Sequence, residues 1–351
     1  MAAALVLAIL ATAAAAAQGG RAPGAPTPAV PTLARVSGPN AMPQGVVTPL
    51  PAAKPPAPKQ KVKVHVTAPP TSTTTTTALP PAPAVAPPPV IPQGKGMWIW
   101  KPELAEGGNV AALVAKAKAV GLTHLFVRTG STWDGFQNAE YLDQLLPAAH
   151  TAGLTVYGWD FPKLAWPPED VFRAKVALDH IAPGGDRLDG FAADIETITE
   201  GTQFTPAAAA EYGAALRQAV GPSTLLVAVV PNPTPQMQQQ YSYAAVIPAF
   251  DAVAPMVYWL NRDAALDTAN AVRFLSQYGK PVMPIGQAYD GGPEGGRPGV
   301  PPPAELVRFM EVAKQYGAVA VSFWSWQHAN PPTWDTIKNT PLFLAPAKPK
   351  K

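Results

Sequence analysis

GLTHLFV, residues 121–127, decides how this chain is read. A glycine comes first, a threonine follows two positions later, and then an apolar run begins. The same arrangement returns in GLTVYGW at 153–159 and, with lysine and proline after the glycine, in GKPVMPI at 279–285. Glycine just past a helix supplies the left-handed turn that ends it. A short run of β-branched and aromatic residues behind it reads as a strand. Each stretch is therefore a helix end leading straight into a strand.

Working outward from these three, eight strands are expected. They are Gly96–Trp100, His124–Gly130, Thr155–Phe161, Leu188–Glu196, Leu225–Pro231, Ala252–Trp259, Pro281–Tyr289 and Val319–Trp326. Helical segments lie between them. Asn109 caps VAALVAKAKAVG, and Thr205 with Pro206 opens PAAAAEYGAALRQAVG. PEDVFRAKVALDHIA opens on Pro168 with acids in its first turn. AEYLDQLLPAAHTAG contains Pro147, which should kink or split it. AALDTANAVRFLSQYG and PPAELVRFMEVAKQYG both close on glycine. Only YSYAAVI follows the fifth strand, and a last short helix should begin near Pro332 or Trp334.

Strand and helix alternating eight times over about 250 residues is the pattern of a (β/α)8 TIM barrel. A doubly wound open sheet is the rival. It would usually carry a glycine-rich phosphate turn after its first strand, but that strand ends WIWKPE. The barrel is expected to occupy residues 94–345.

The remainder has another texture. The chain has 351 residues and 45 prolines, many of them between 22 and 93. TSTTTTTALPPAPAVAPPPV has no means of building a core, so residues 18–93 are expected to be a disordered Pro/Ala/Thr-rich linker. Residues 1–17, MAAALVLAILATAAAAA, resemble the apolar part of a secretory signal peptide or a membrane anchor, without a basic leader. Residues 346–351 form a basic disordered tail. Location is thus expected to be secreted or cell-envelope associated, in a bacterium, with a possible N-terminal membrane tether. The absence of cysteine excludes a disulfide framework, a thiolate zinc site and a cysteine nucleophile. A formal charge of +3, concentrated in the linker and tail, is too weak for a nucleic-acid footprint. A monomer without cofactor is expected.

In this fold, reactive groups stand at the C-terminal ends of the strands. DGFAADIETITE, residues 189–200, ends the fourth strand. By alternation Phe191, Ala193 and Ile195 face the helices, while Gly190, Ala192, Asp194 and Glu196 face inward. The two carboxylates are then about 6 to 7 Å apart along one face. A deep Asp194 beneath Glu196 would raise one pKa, as a general acid near neutral pH requires. The alternative is a strand-end pair that caps loops or binds Arg128.

Other strand ends offer Trp98 and Trp100, Arg128, Asp160, Met256 with Tyr258, Gln287, and Trp324 with Trp326. Tryptophans near one rim would stack on sugar faces while polar groups read hydroxyls. Packing of the barrel ends is the structural alternative. A metal site is not expected. His124 begins a strand at the wrong end, His150 and His180 lie in helices, and His328 stands alone. The glycine- and proline-rich YDGGPEGGRPGVPPP is read as a lid, a binding loop or a plain surface loop.

These residues resemble two glycoside hydrolase families. The strand-four signature of family 18, the chitinase-like barrels, is D-G-x-D-x-D-x-E. It is matched here by Asp189, Gly190, Asp194 and Glu196, with Ala192 replacing the middle aspartate. MVYW resembles that family's M-x-Y-[DN], Tyr258 matching and Trp259 replacing the acid or amide. Trp324 resembles its strand-eight tryptophan. The resemblance implies Glu196 as general acid, Asp194 orienting the substrate's N-acetyl group, and Tyr258 steadying the intermediate. SWQH and the inner D-x-E also resemble family 25, the lysozyme-like barrels. The expected partner is a polysaccharide or cell-wall glycan. A catalytically inactive carbohydrate-binding barrel is the second expectation. A barrel enzyme of other chemistry, using Asp160, Asp194, Glu196 and Arg128, is the third.

Overall fold

The structure, a computed structural model, describes residues 88–341. The expected signal-like segment, most of the linker and the basic tail lie outside the described residues.

Eight parallel strands form the barrel: β1 Gly94–Ile99, β2 His124–Ser131, β3 Thr155–Phe161, β4 Gly190–Asp194, β5 Leu225–Pro231, β6 Ala252–Val257, β7 Ile285–Gln287 and β8 Ala320–Trp324. Each pairs in parallel with the next, and β1 pairs with both β2 and β8, which closes the sheet. Closure leaves no barrel edge exposed. The long outer helices are α1 Val110–Ala119, α2 Ala139–Thr151, α3 Pro167–Asp179, α4 Pro206–Val220, α5 Ala264–Ser276, α6 Pro303–Gln315 and α7 Pro331–Asn339. Two single turns, Met237–Gln240 and Tyr243–Val246, stand where a helix would follow β5.

Asn109 and Thr205 cap their helices as expected, and Asp263 and Asn330 do the same for α5 and α7. Asn109, Thr205, Asp263 and Asn330 accept from the backbone N–H groups of Ala112, Ala208, Leu266 and Thr333. Pro147 is accommodated inside α2, which stays a single helix.

Two differences have local causes. β7 is three residues long, reduced from the expected nine, because Pro281 and Pro284 have no N–H to donate. Their carbonyls still accept from Val253 and Ser322. A two-residue antiparallel strand, Gly135–Phe136, folds back onto β2 beyond a register shift between Arg128 and Gly130. A Cβ on Gly130 would sit 2.1 Å from the Gly135 carbonyl oxygen, so only glycine permits this hairpin.

Alternation sorts the core into two layers. Trp98, Phe126, Tyr157, Trp159, Ala192, Val227, Val229, Ala254 and Met256 belong to the cluster inside the barrel. Phe191, Ala193, Ile195, Leu226, Ala228 and Val257 pack with the helices. The first cluster floors the mouth where the strands end.

Candidate active site

β4 enters the barrel under constraint. The Asp189 carboxylate accepts from the Val156 backbone N–H at 2.7 Å and lies 3.0 Å from His150 Nε2. It therefore ties β4 to β3 and α2 at the end away from the mouth. A Cβ on Gly190 would lie 2.7 Å from the Leu225 carbonyl oxygen, so this step needs glycine for the close approach of β5. At the other end, Ile195 N–H donates to the Val229 carbonyl at 3.1 Å. The Tyr241 hydroxyl donates to the Ile195 carbonyl at 2.8 Å, and its ring stacks on Phe204. With Ile195 fixed outward, Asp194 and Glu196 on either side of it are turned inward.

Both carboxylates line one cavity of about 30 Å³. Its other walls are Trp98 of β1, Val229 of β5, Met256 of β6 with Tyr258 beyond it, Ile285 of β7 and Trp324 of β8. Trp98 is buried, stacked at 4.2 Å on Phe126, and donates its indole N–H to Ser322 Oγ at 2.8 Å. Trp324 is half-buried and meets Trp159 edge-on at 5.3 Å. The Trp324–Ser325 peptide is cis. A rigid aromatic floor thus lies beside two acids.

Burial pushes the Glu196 carboxyl up to about 7. Burial also raises Asp194 well above the usual carboxylate range. The charges of Glu196 and Asp160 add to this, and Arg128 opposes it. Asp194 Oδ1 has no hydrogen-bond partner. A buried acid in apolar surroundings resists ionisation. Near neutral pH the pair therefore retains a proton that it can deliver.

The remaining expected site residues divide. Trp100 is half-buried at the rim, 6.5 Å from Trp324. Tyr258 lies edge-on to Tyr289 at 5.4 Å. Arg128 pairs with Asp134 at 2.5 Å and not with either site carboxylate.

Three residues expected to bind substrate are engaged elsewhere. Asp160 faces the helix layer, where Arg173 of α3 binds it at 2.7 Å. Its neighbours Trp159 and Tyr157 take the inward positions. Gln287 is buried; it accepts from Leu260 N–H and donates to the Tyr289 carbonyl, fastening the β6 and β7 loops together. Trp326 packs on Trp334 and donates to Glu106. β8 ends at Trp324, so alternation no longer places Trp326 on the same face. Trp259 likewise turns outward, donating to Glu305 of α6.

One acid escaped sequence reasoning. Glu294, in the long loop after β7, accepts from the Tyr289 hydroxyl at 2.6 Å, and its charge raises the Glu196 carboxyl further. The loop is stapled by Asp290, which accepts from Gly292 and Gly299 N–H. No local signal marks Glu294, because its position depends on how the loop folds back. Among the described residues, no group of three or more His, Asp or Glu is placed to hold a metal ion.

Solved structures share this architecture. An endo-β-1,4-mannanase from Thermotoga petrophila is similar at 10% identity and a TM-score of 0.53, over 71% of this chain and 76% of that one. The spore cortex-lytic enzyme of Bacillus cereus is similar at 11% identity and a TM-score of 0.51, over 72% and 75%. The chain shares its (β/α)8 barrel fold with these enzymes. The similarity spreads across several glycoside hydrolase families and does not single out 18 or 25. At these identities it is a likeness of fold. No family model and no curated protein sequence matches the chain.

Proposed function

We propose that the chain is an exported glycoside hydrolase acting on an N-acetylhexosamine-containing polysaccharide, chitin-like or peptidoglycan. The observation that carries this reading is a pair of buried, proton-retaining carboxylates, Asp194 and Glu196, on the wall of a cavity floored by Trp98 and Trp324.

Glu196 protonates the glycosidic oxygen as the C1–O bond breaks. Asp194 accepts from the acetamide N–H of the same sugar and aims its carbonyl oxygen at C1. The acetamide then forms the cyclic intermediate, so no second protein nucleophile is needed. Tyr258, on the same cavity wall, steadies that intermediate. Glu196, now ionised, takes a proton from the water that reopens the ring. Its raised pKa suits both duties near neutral pH. The apolar segment at 1–17 and the proline-rich stretch behind it support export and a place in the cell envelope, with the barrel on a spacer.

Reducing-end release from N-acetylglucosamine oligomers and from peptidoglycan glycan tests this. E196Q should lose turnover at least about 100-fold while still binding glycan. Undiminished release by E196Q would overturn the assignment of Glu196.

A carbohydrate-binding barrel without turnover is the second reading. The observation favouring it is Ala192, which packs among apolar side chains and supplies no charge beneath Asp194. Binding by the unaltered chain with no product over long incubation would establish it.

A further inference from the structure

Two lysines stand at the mouth without an acidic partner among the described residues, each over a tryptophan. Lys101 Nζ lies 4.4 Å from the ring centre of Trp100, just beyond β1. Lys163 Nζ lies 5.6 Å from that of Trp133, which follows β2. Trp133 is 58% exposed, yet its surroundings are rigid. Phe161 at the end of β3 stacks on it at 5.2 Å. The backbone on either side is pinned: Thr132 N–H donates to the Phe161 carbonyl and Asp134 N–H to the Ser131 carbonyl. Water solvates a free Trp side chain poorly, and nothing in the barrel core needs this one.

Both pairs rise from the strand ends β1–β3, the same end of the barrel that carries Asp194 and Glu196 on β4. Trp100 also continues the aromatic floor outward, being 6.5 Å from Trp324. The cavity itself is acidic, with Glu294 adding to its field. The cavity lining holds two carboxyls and no cation, so an anionic group is better accommodated at the lysine-bearing sector.

We propose that this sector binds the sugars next to the cleaved bond and that those sugars carry carboxylates. The substrate is then an anionic acylhexosamine glycan, with free lactyl carboxylates as in peptidoglycan strands stripped of their stem peptides, and not a neutral chitin-type chain. The tryptophans stack on pyranose faces, and the ammonium groups pair with the carboxylates. This inference rests on the glycosidase reading above and narrows its substrate.

The test uses the full chain carrying E196Q and measures binding, so turnover does not enter. The probes are a neutral N-acetylglucosamine tetramer and an alternating N-acetylglucosamine–N-acetylmuramic acid tetrasaccharide with free lactyl carboxylates. The anionic probe should bind about tenfold tighter at low salt, with the preference shrinking as salt screens it. Adding K101M and K163M together should collapse the preference to about onefold. Trp133→Ala should weaken the tetrasaccharide several-fold. Equal or tighter binding of the neutral probe, or a preference that survives the double lysine change, would overturn the inference and leave the glycan reading standing. Binding of neither probe would overturn both.

Discussion

Glu196 shows what burial does to a single acid. In water a glutamate titrates near 4.5, while here it titrates near 7. Between those values the folded chain holds a proton that the unfolded chain has released. Stability contributed by this group is therefore present below about pH 4.5 and is lost as pH rises through 7. Glutamine does not titrate, so E196Q should lose correspondingly less stability than the unaltered chain between pH 4.5 and 7. Urea unfolding of both proteins at the two pH values checks this, and parallel losses would contradict the buried, proton-holding state. The same group sets activity: turnover should fall as pH rises above about 7, where the acid form disappears. The D-x-E spacing was legible at this scale, since alternation alone puts both acids on one face. Its neighbours were not. Asp160 and Gln287 are read as binding residues in the sequence; the structure pairs Asp160 with Arg173 of the following helix and Gln287 with the Leu260 N–H in the loop after β6.

Elements are held in place by contacts between residues distant in sequence. Lys95, near the start of β1, is buried and donates to the carbonyls of Ile337 and Thr340, at the C-terminal end of α7. It ties the last helix to the first strand and meets the negative end of that helix. Burial without an acidic partner lowers its pKa. K95M keeps most of the stem but removes the donor and leaves two carbonyls poorly served. It should cost about 2 kcal/mol in urea unfolding and speed hydrogen exchange in residues 331–341. An unchanged midpoint would mean that water replaces the ammonium without loss. Strand and helix identities were largely readable, because periodicity and caps are local. The length of β7 and the fate of Trp326 were not. Both turn on where a strand stops pairing, which prolines and the following turn decide.

The closed barrel buries a histidine at its base. His124 is fully buried, 2.9 Å from Thr123 Oγ1 and packed edge-on against Phe126. Desolvation lowers its pKa from 6.5 to about 3. As pH falls below 6.5 the unfolded chain takes up a proton that the folded barrel refuses. Stability from this group is thus full above 6.5 and is lost towards pH 3, at about 1.4 kcal/mol per pH unit. The stability of the unaltered chain relative to H124L should drop by about 2 kcal/mol between pH 7 and pH 5. A constant difference would place the imidazole in contact with water.

By itself the sequence determined the eight strands with helices between most of them, the caps Asn109 and Thr205, and the inward face of β4. Those properties depend on residues a few positions apart, where backbone geometry leaves little choice. Tertiary structure alone decided which polar side chains reach the cavity. It sent Asp160 to Arg173, Gln287 to Leu260 and Trp326 to Trp334, and it brought Glu294 within electrostatic reach of Glu196. Closing the sheet joins β1 to β8 across more than 200 residues of chain. A polar group buried by that closure must take the partner the fold presents, whatever its sequence neighbours are.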